Sequence, residues 1–265
     1  MKTTLTKNLR AKPLTSNSSS KSPQIKFLLL KKAWDASLKD LSVFLWGKGN
    51  FKGFVWTNDE QSEDETIKRF PDRKHLRAFV SLYEKNRLLI VFKSRQMQIS
   101  WIMAAVVLWE CLQPGRRWAV ICKKFESADE LLTRMWIIYN KLPENLRPPA
   151  KRKEGVITIL HPDNPSIIQA AAQNPEDVRQ YTLSGVWFDE SAFHSAAAEF
   201  HKALVPSIQG RGRAVITTTP NGREFFFFLA GISGKVKEIK ARLTDRFAHL
   251  GTDRTDSRNS DLAGG

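Results

Sequence analysis

From about residue 64 onward the chain switches between short apolar runs and longer stretches whose apolar positions recur every three or four residues. The first kind predicts strands and the second helices. "RLLIVF" (87–92), "RWAVIC" (117–122), "GVWFDE" (185–190) and "RAVITTTP" (213–220) belong to the first kind. They are rich in β-branched and aromatic residues and short enough to be strands buried on both faces. "GVITIL" (155–160) and "SIIQAAA" (166–172) predict two further strands, and the turn "HPDNP" between them suggests a hairpin. "FESADELLTRMWIIYNKL" (125–142) predicts an amphipathic helix that Pro143 terminates. The run from Ser100 to about Leu112 is apolar nearly all round, which predicts a buried helix. "DETIKRFPDRKHLRAFVSLYEKN" (64–86) reads as helical on both sides of a break at Pro71, and "AAAEFHKALVPSI" (196–208) as a helix between the last two strands. Such alternation predicts a mostly parallel sheet wrapped by helices.

Ligands of a sheet of this kind bind outside the carboxyl ends of its strands. Three polar clusters fall there: "KSRQMQIS" (93–100), "DES" (189–191) and "TTTPNG" (217–222). The first joins a strand to a helix, as a phosphate cradle does, but it is not the pattern G-x-x-x-x-G-K-[ST]. Lys93 stands at the first glycine, Gln98 at the second and Ile99 at the lysine, and only Ser100 fits. Backbone N–H groups and the positive end of the helix bind phosphate whatever the side chains, Ser100 Oγ can ligate Mg²⁺, and Lys93 with Arg95 can supply the missing charge. Gln98 is the costly position, because a glycine there reaches positive φ without strain. Asp189 can hold the metal and Glu190 can polarise an attacking water. The plainer reading of the acidic pair is a cap for the following helix. Thr219 or Asn221 can sense a γ-phosphate, although Pro220, Asn221 and Gly222 also suit an ordinary turn.

Charge adds a partner to this picture. The 42 Lys and Arg outnumber the 27 Asp and Glu, leaving +15 over 265 residues, which favours an anionic partner such as nucleic acid over a neutral small molecule. A hydrophobic content of 42% suits one substantial globular domain and excludes a disordered chain. Cys111 and Cys122 lie in apolar runs and read as reduced, buried thiols, which places the chain in the cytoplasm. "WIMAAVVLW" (101–109) and "FFFFLAG" (225–231) are too short to span a membrane. The N-terminal stretch is basic and Ser-rich without an apolar signal core. Residues 1–40 are read as a basic flexible arm, 41–232 as the folded domain and 233–265 as a polar tail.

With the three clusters in order, "FKSRQMQISW", "VWFDESAF" and "TTTPNG" resemble the ATPase domain of the large terminase subunit of tailed bacteriophages, over about Phe70 to Gly231. Loops of that family often read K-x-R-Q-x-G-x-S, matched here at Lys93, Arg95, Gln96 and Ser100, with Gln98 in place of the glycine. The resemblance implies a P-loop NTPase fold of the RecA/ASCE type and an ATPase motor that moves double-stranded DNA into a procapsid. It implies ATP and Mg²⁺ as cofactors, the loop Lys93, Ser94, Arg95, Gln96, Met97, Gln98, Ile99 and Ser100 around the nucleotide, and Ser100 with Asp189 on the metal. Glu190, Lys93 and Arg95 would be catalytic, and Thr219 with Asn221 would couple the nucleotide state to DNA. Arg179 matches an arginine that precedes the acidic strand in many relatives. A portal protein, a small terminase subunit and a ring of copies are the implied partners, with no membrane.

Large terminases continue into a nuclease domain, and the last portion here, "KARLTDRFAHLGTDRTDSRNSDLAGG" (240–265), is polar without an acidic strand of that kind, so nuclease activity is not expected. Two other readings compete with the motor. One is a truncated remnant that binds nucleic acid without turnover, its loop impaired by Gln98. The other is a helicase-like ATPase, which needs a second RecA-like domain.

Overall fold

The computed structural model describes residues 22–58, 66–94, 97–172, 182–190 and 212–219. In chain order their elements are α1 (Pro23–Ser37), α2 (Leu41–Trp46), β1 (Gly47–Lys48), β2 (Phe51–Lys52), β3 (Trp56–Asn58), β4 (Ile67–Arg69), α3 (Lys74–Lys85) and β5 (Leu88–Phe92). There follow α4 (Ile99–Cys111), β6 (Arg117–Ile121), α5 (Phe125–Lys141), β7 (Ala150–Lys153), β8 (Val156–Ile159), β9 (Ser166–Ala171), β10 (Gly185–Asp189) and β11 (Arg213–Thr218). Seven of these strands make one sheet in the order β5-β11-β10-β6-β9-β8-β7. The first five run parallel to one another, and β8 and β7 add an antiparallel margin.

The parallel strands are apolar at successive positions because both of their faces are covered. Leu89, Val91, Trp118, Val120, Trp187 and Val215 face the larger core, which α1 to α5 complete. Their neighbours Ile90, Ala119, Ile121, Val186, Phe188, Ala214 and Ile216 line the opposite face. Trp118 fits beneath β10 only because its partner there is Gly185, where a Cβ would sit 2.3 Å from the indole. Helix α4 is buried without a break from Ile102 to Leu108, as its all-round apolar sequence requires. Its far end is tied to α1: Trp109 Nε1 donates to Ser37 O at 2.8 Å and Gln113 Nε2 to Leu38 O at 3.2 Å. No helix among the described residues is long and apolar enough to cross a membrane.

Three local expectations differ from what is observed. Residues 67–69, read as helical, are strand β4, because Ile67–Arg69 pairs antiparallel with Trp56–Asn58 and the Arg69 guanidinium lies 4.1 Å above the Trp56 ring. Tertiary pairing outweighs local propensity there. Residues 23–37, read as part of an arm, form helix α1, started by Ser22 and Pro23 and anchored by the buried Trp34 and Ser37. Strand β7 was not anticipated; Lys151 and Lys153 point outward from it, which suits an edge strand. The hairpin of β8 and β9 is present as read, and the helix expected at 196–208 lies outside the described residues.

Candidate functional site

Strand β5 delivers the chain to Lys93, whose N–H still bonds to Thr218 O at 2.9 Å, so the loop leaves the sheet beside the end of β11. The loop closes at Gln98, where φ is 58° and ψ 19°, and the Gln98 carbonyl then accepts the Ile102 N–H as α4 begins. A non-glycine residue in this left-handed conformation carries about 1–2 kcal/mol of strain. Gln98 Oε1 is also buried without a hydrogen-bond partner among the described residues. The loop thus takes the backbone turn that a glycine makes freely, and it does so with glutamine.

The carboxyl end of β10 brings the acid to this loop. Lys93 Nζ lies 2.7 Å from Asp189 Oδ1 and 3.0 Å from Ser100 Oγ, and Ser100 Oγ lies 3.3 Å from Asp189 Oδ2. Asp189 Oδ1 also accepts the Thr217 hydroxyl at 2.6 Å and the Glu190 N–H at 3.0 Å. Thr217 in turn accepts Trp187 Nε1–H at 2.8 Å, so a buried chain of hydrogen bonds runs from the indole to the carboxylate. The Lys93 and Asp189 side chains are only 10% and 7% exposed, and an ion pair so far from water is held by the donors that surround it. Glu190 is exposed and left-handed, with φ 54°, a second strained position directly after the acid. Cys122, which follows β6 at the same edge, has its thiol held well above the ordinary range, first by burial and then by the charges of Asp189 and Glu190.

Among the residues expected at a site, Lys93, Ser100 and Asp189 meet, and Glu190 adjoins them. Ser94 is exposed beside Lys93. Met97 is half-buried against the core, and Ile99 is buried in it, which leaves Ile99 only its backbone to face a ligand. Thr219 follows β11 at this edge, and its carbonyl accepts the Thr218 hydroxyl at 3.0 Å. Arg95, Gln96, Arg179 and Asn221 lie outside the described residues. Thr217 was missed. The available signal was a threonine within an otherwise apolar strand, level with Asp189 in the register of β10 and β11.

The donor set fits a magnesium ion. Two adjacent ligands of an octahedral ion, each at about 2.1 Å, stand about 3 Å apart, close to the separation of Ser100 Oγ and Asp189 Oδ2. Both are hard oxygen donors, and the Lys93 ammonium against them shows that the position favours positive charge.

A loop strand and an acid strand separated by one intervening strand, with the loop opening a helix, define a P-loop NTPase of the ASCE type. Residues 90–249 match the family described as "Terminase large subunit, T4likevirus-type, N-terminal", and the chain belongs to that family. In fold it is similar to the large terminase of bacteriophage HK97, with TM-score 0.57 and 11% identity, covering 76% of this chain and 41% of that one. It is also similar to a large terminase from a thermophilic bacteriophage, with TM-score 0.52 and 14% identity, covering 63% and 44%. That second protein has been crystallised in complex with ADP and with ATP-gamma-S. This chain therefore spans less than half the length of either protein.

Proposed function

We propose that the chain binds ATP with magnesium at the carboxyl edge of its sheet and hydrolyses it, as the motor domain that drives double-stranded DNA into a procapsid. The observation that carries this reading is the meeting of Lys93 Nζ, Ser100 Oγ and the Asp189 carboxylate within 3.3 Å, with Glu190 next in the chain.

Ser100 and Asp189 would hold the metal, which neutralises phosphate charge when bound. The loop from Lys93 to Ile99 would wrap the phosphates with its backbone N–H groups, helped by the N-terminal end of α4. Lys93 would exchange its bond to Asp189 for the phosphate oxygens, and Arg95 would add a second positive charge to the developing one. Glu190, exposed and outside the ion pair, would orient the attacking water and accept its proton. Thr219, which follows β11 at this edge, and Asn221 would pass the nucleotide state on to the DNA-gripping parts. The +15 charge suits a duplex partner, and family membership suits a portal protein, a small terminase subunit and a ring of copies around the DNA.

A second reading, binding of nucleic acid without turnover, rests on Gln98. The left-handed turn at Gln98 weakens it, since the conformation a glycine would supply is already adopted. Steady-state hydrolysis and ADP affinity, measured on the wild type and on Glu190→Gln, separate the two. The motor reading expects Mg²⁺-dependent hydrolysis that falls at least about a hundredfold in Glu190→Gln while ADP binding stays. A wild-type protein that binds neither ADP nor ATP would leave only the second reading.

A further inference from the structure

Helix α4 starts without a side-chain cap: Gln98 occupies the capping position, and its side chain makes no bond to the first-turn N–H groups. The peptide that joins Met97 to Gln98 must still be fixed, because the left-handed turn and the direction of the loop's last N–H depend on it. A side chain from another helix takes hold of it. His75, in the first turn of α3, places Nε2 3.1 Å from Met97 O. A carbonyl oxygen only accepts, so Nε2 carries the proton and donates it.

We infer that His75 is a positioning residue for the phosphate loop, setting through Met97 O the direction in which the Gln98 N–H points. This inference rests on the nucleotide reading of the site. In a trans peptide the C=O and the following N–H point in opposite directions. A carbonyl drawn toward α3 therefore turns the Gln98 N–H away from α3. The base for this grip is firm: Leu76, Phe79, Val80 and Tyr83 seat α3 in the core. Trp46 Nε1 donates to Pro71 O at 3.0 Å just before the helix, and the Arg77 guanidinium lies 4.8 Å over the Trp46 ring. Since α3 precedes β5 and the loop follows it, the bond also closes the chain across the strand that carries the loop. Glutamine at residue 75 keeps an N–H donor at nearly the reach of Nε2; leucine keeps bulk and loses the donor.

The test compares wild type, His75→Leu and His75→Gln in two measurements. One is ADP affinity with Mg²⁺ by calorimetry, and the other is amide hydrogen exchange of the 93–100 segment without nucleotide. His75→Leu is expected to weaken ADP binding and to speed exchange by roughly three- to tenfold each, the scale of one lost hydrogen bond. His75→Gln is expected to restore both to within about twofold of wild type. Two results overturn the assignment: His75→Leu indistinguishable from wild type in exchange, or His75→Gln as defective as His75→Leu, which would make the ring's bulk the cause. Absence of ADP binding in the wild type would count against the nucleotide reading instead, and exchange alone would then decide the role of His75. Should His75→Leu not fold, His75→Ala replaces it in both measurements.

Discussion

Lys93 Nζ rests 2.7 Å from Asp189 Oδ1, an ion pair between residues 96 positions apart that closes the loop onto the acidic strand. Both partners are largely out of water, and each holds the other's charge in place. Lys93→Ala removes the cation and leaves the carboxylate with Ser100, Thr217 and the Glu190 N–H as its donors. Stability in urea is expected to fall by about 3 kcal/mol, as for other buried pairs that lose one member. ATP hydrolysis is expected to disappear as well. A variant as stable as wild type would mean that the pair is not formed in solution.

The bond from Thr217 to Asp189 makes a separate prediction. Thr217→Val keeps the shape of the side chain and removes the hydroxyl, stranding Trp187 Nε1 and taking one donor from the acid. A loss of about 1–3 kcal/mol is expected, with a shift in tryptophan emission as the indole loses its partner. Equilibrium unfolding followed by fluorescence reads both.

Gln98→Gly should act in the opposite direction. At φ 58° glycine carries no Cβ penalty, and the substitution also removes the buried, unpartnered Oε1. A gain of about 1 kcal/mol in stability is expected, together with faster ATP turnover, because the backbone can then approach the phosphates more closely. Thermal melts and steady-state hydrolysis check the two effects independently.

Alkali provides a fourth test. Burial raises the thiols of Cys111 and Cys122 well above their ordinary range, so in the folded protein they stay protonated where unfolded thiols ionise. Their contribution is fully present below the ordinary thiol value near 9 and is lost as pH climbs from there toward the folded values. The urea midpoint should therefore fall above about pH 9, and Cys111→Ala with Cys122→Ala should flatten that fall. A thiol reagent at pH 8 should label neither cysteine until the protein unfolds.

DNA binding, if counterion release drives it, should weaken roughly a thousandfold between about 50 and about 200 mM salt and show little preference among sequences. Filter binding or fluorescence anisotropy over that range measures the slope. A flat response would assign the +15 charge another purpose.

What could be read from the chain alone was whatever is local. The strands ending at Phe92, Ile121, Asp189 and Thr218 are apolar enough to announce themselves, and the polar residues that follow them mark the edge where Lys93, Ser100 and Asp189 meet. The order of the strands was not legible, because β5 pairs with β11 and β6 with both β9 and β10, and nothing local encodes those choices. Thr217 was not singled out because three consecutive threonines look alike until β10 and β11 are set in register. His75 carried no signal at all, since its role depends on how α3 lies against a loop more than twenty residues later. Strand β4 has too few residues for an alternation to be recognised, and the three consecutive leucines of α1 obscure its helical period.

Among the described residues, the strand that leads into the loop has one neighbour in the sheet, β11. Arg87, at the foot of that strand, bonds to Gly212 O, 125 positions further along the chain. At about 5–20 residues per second, a ribosome needs roughly 6–25 seconds to travel between them. Throughout that interval Leu89, Ile90 and Val91 have been made and the strand that covers their edge has not. The site that Lys93 closes is thus complete only once β11 has been made, and a nascent chain released before residue 218 would hold the loop without the strand beside it.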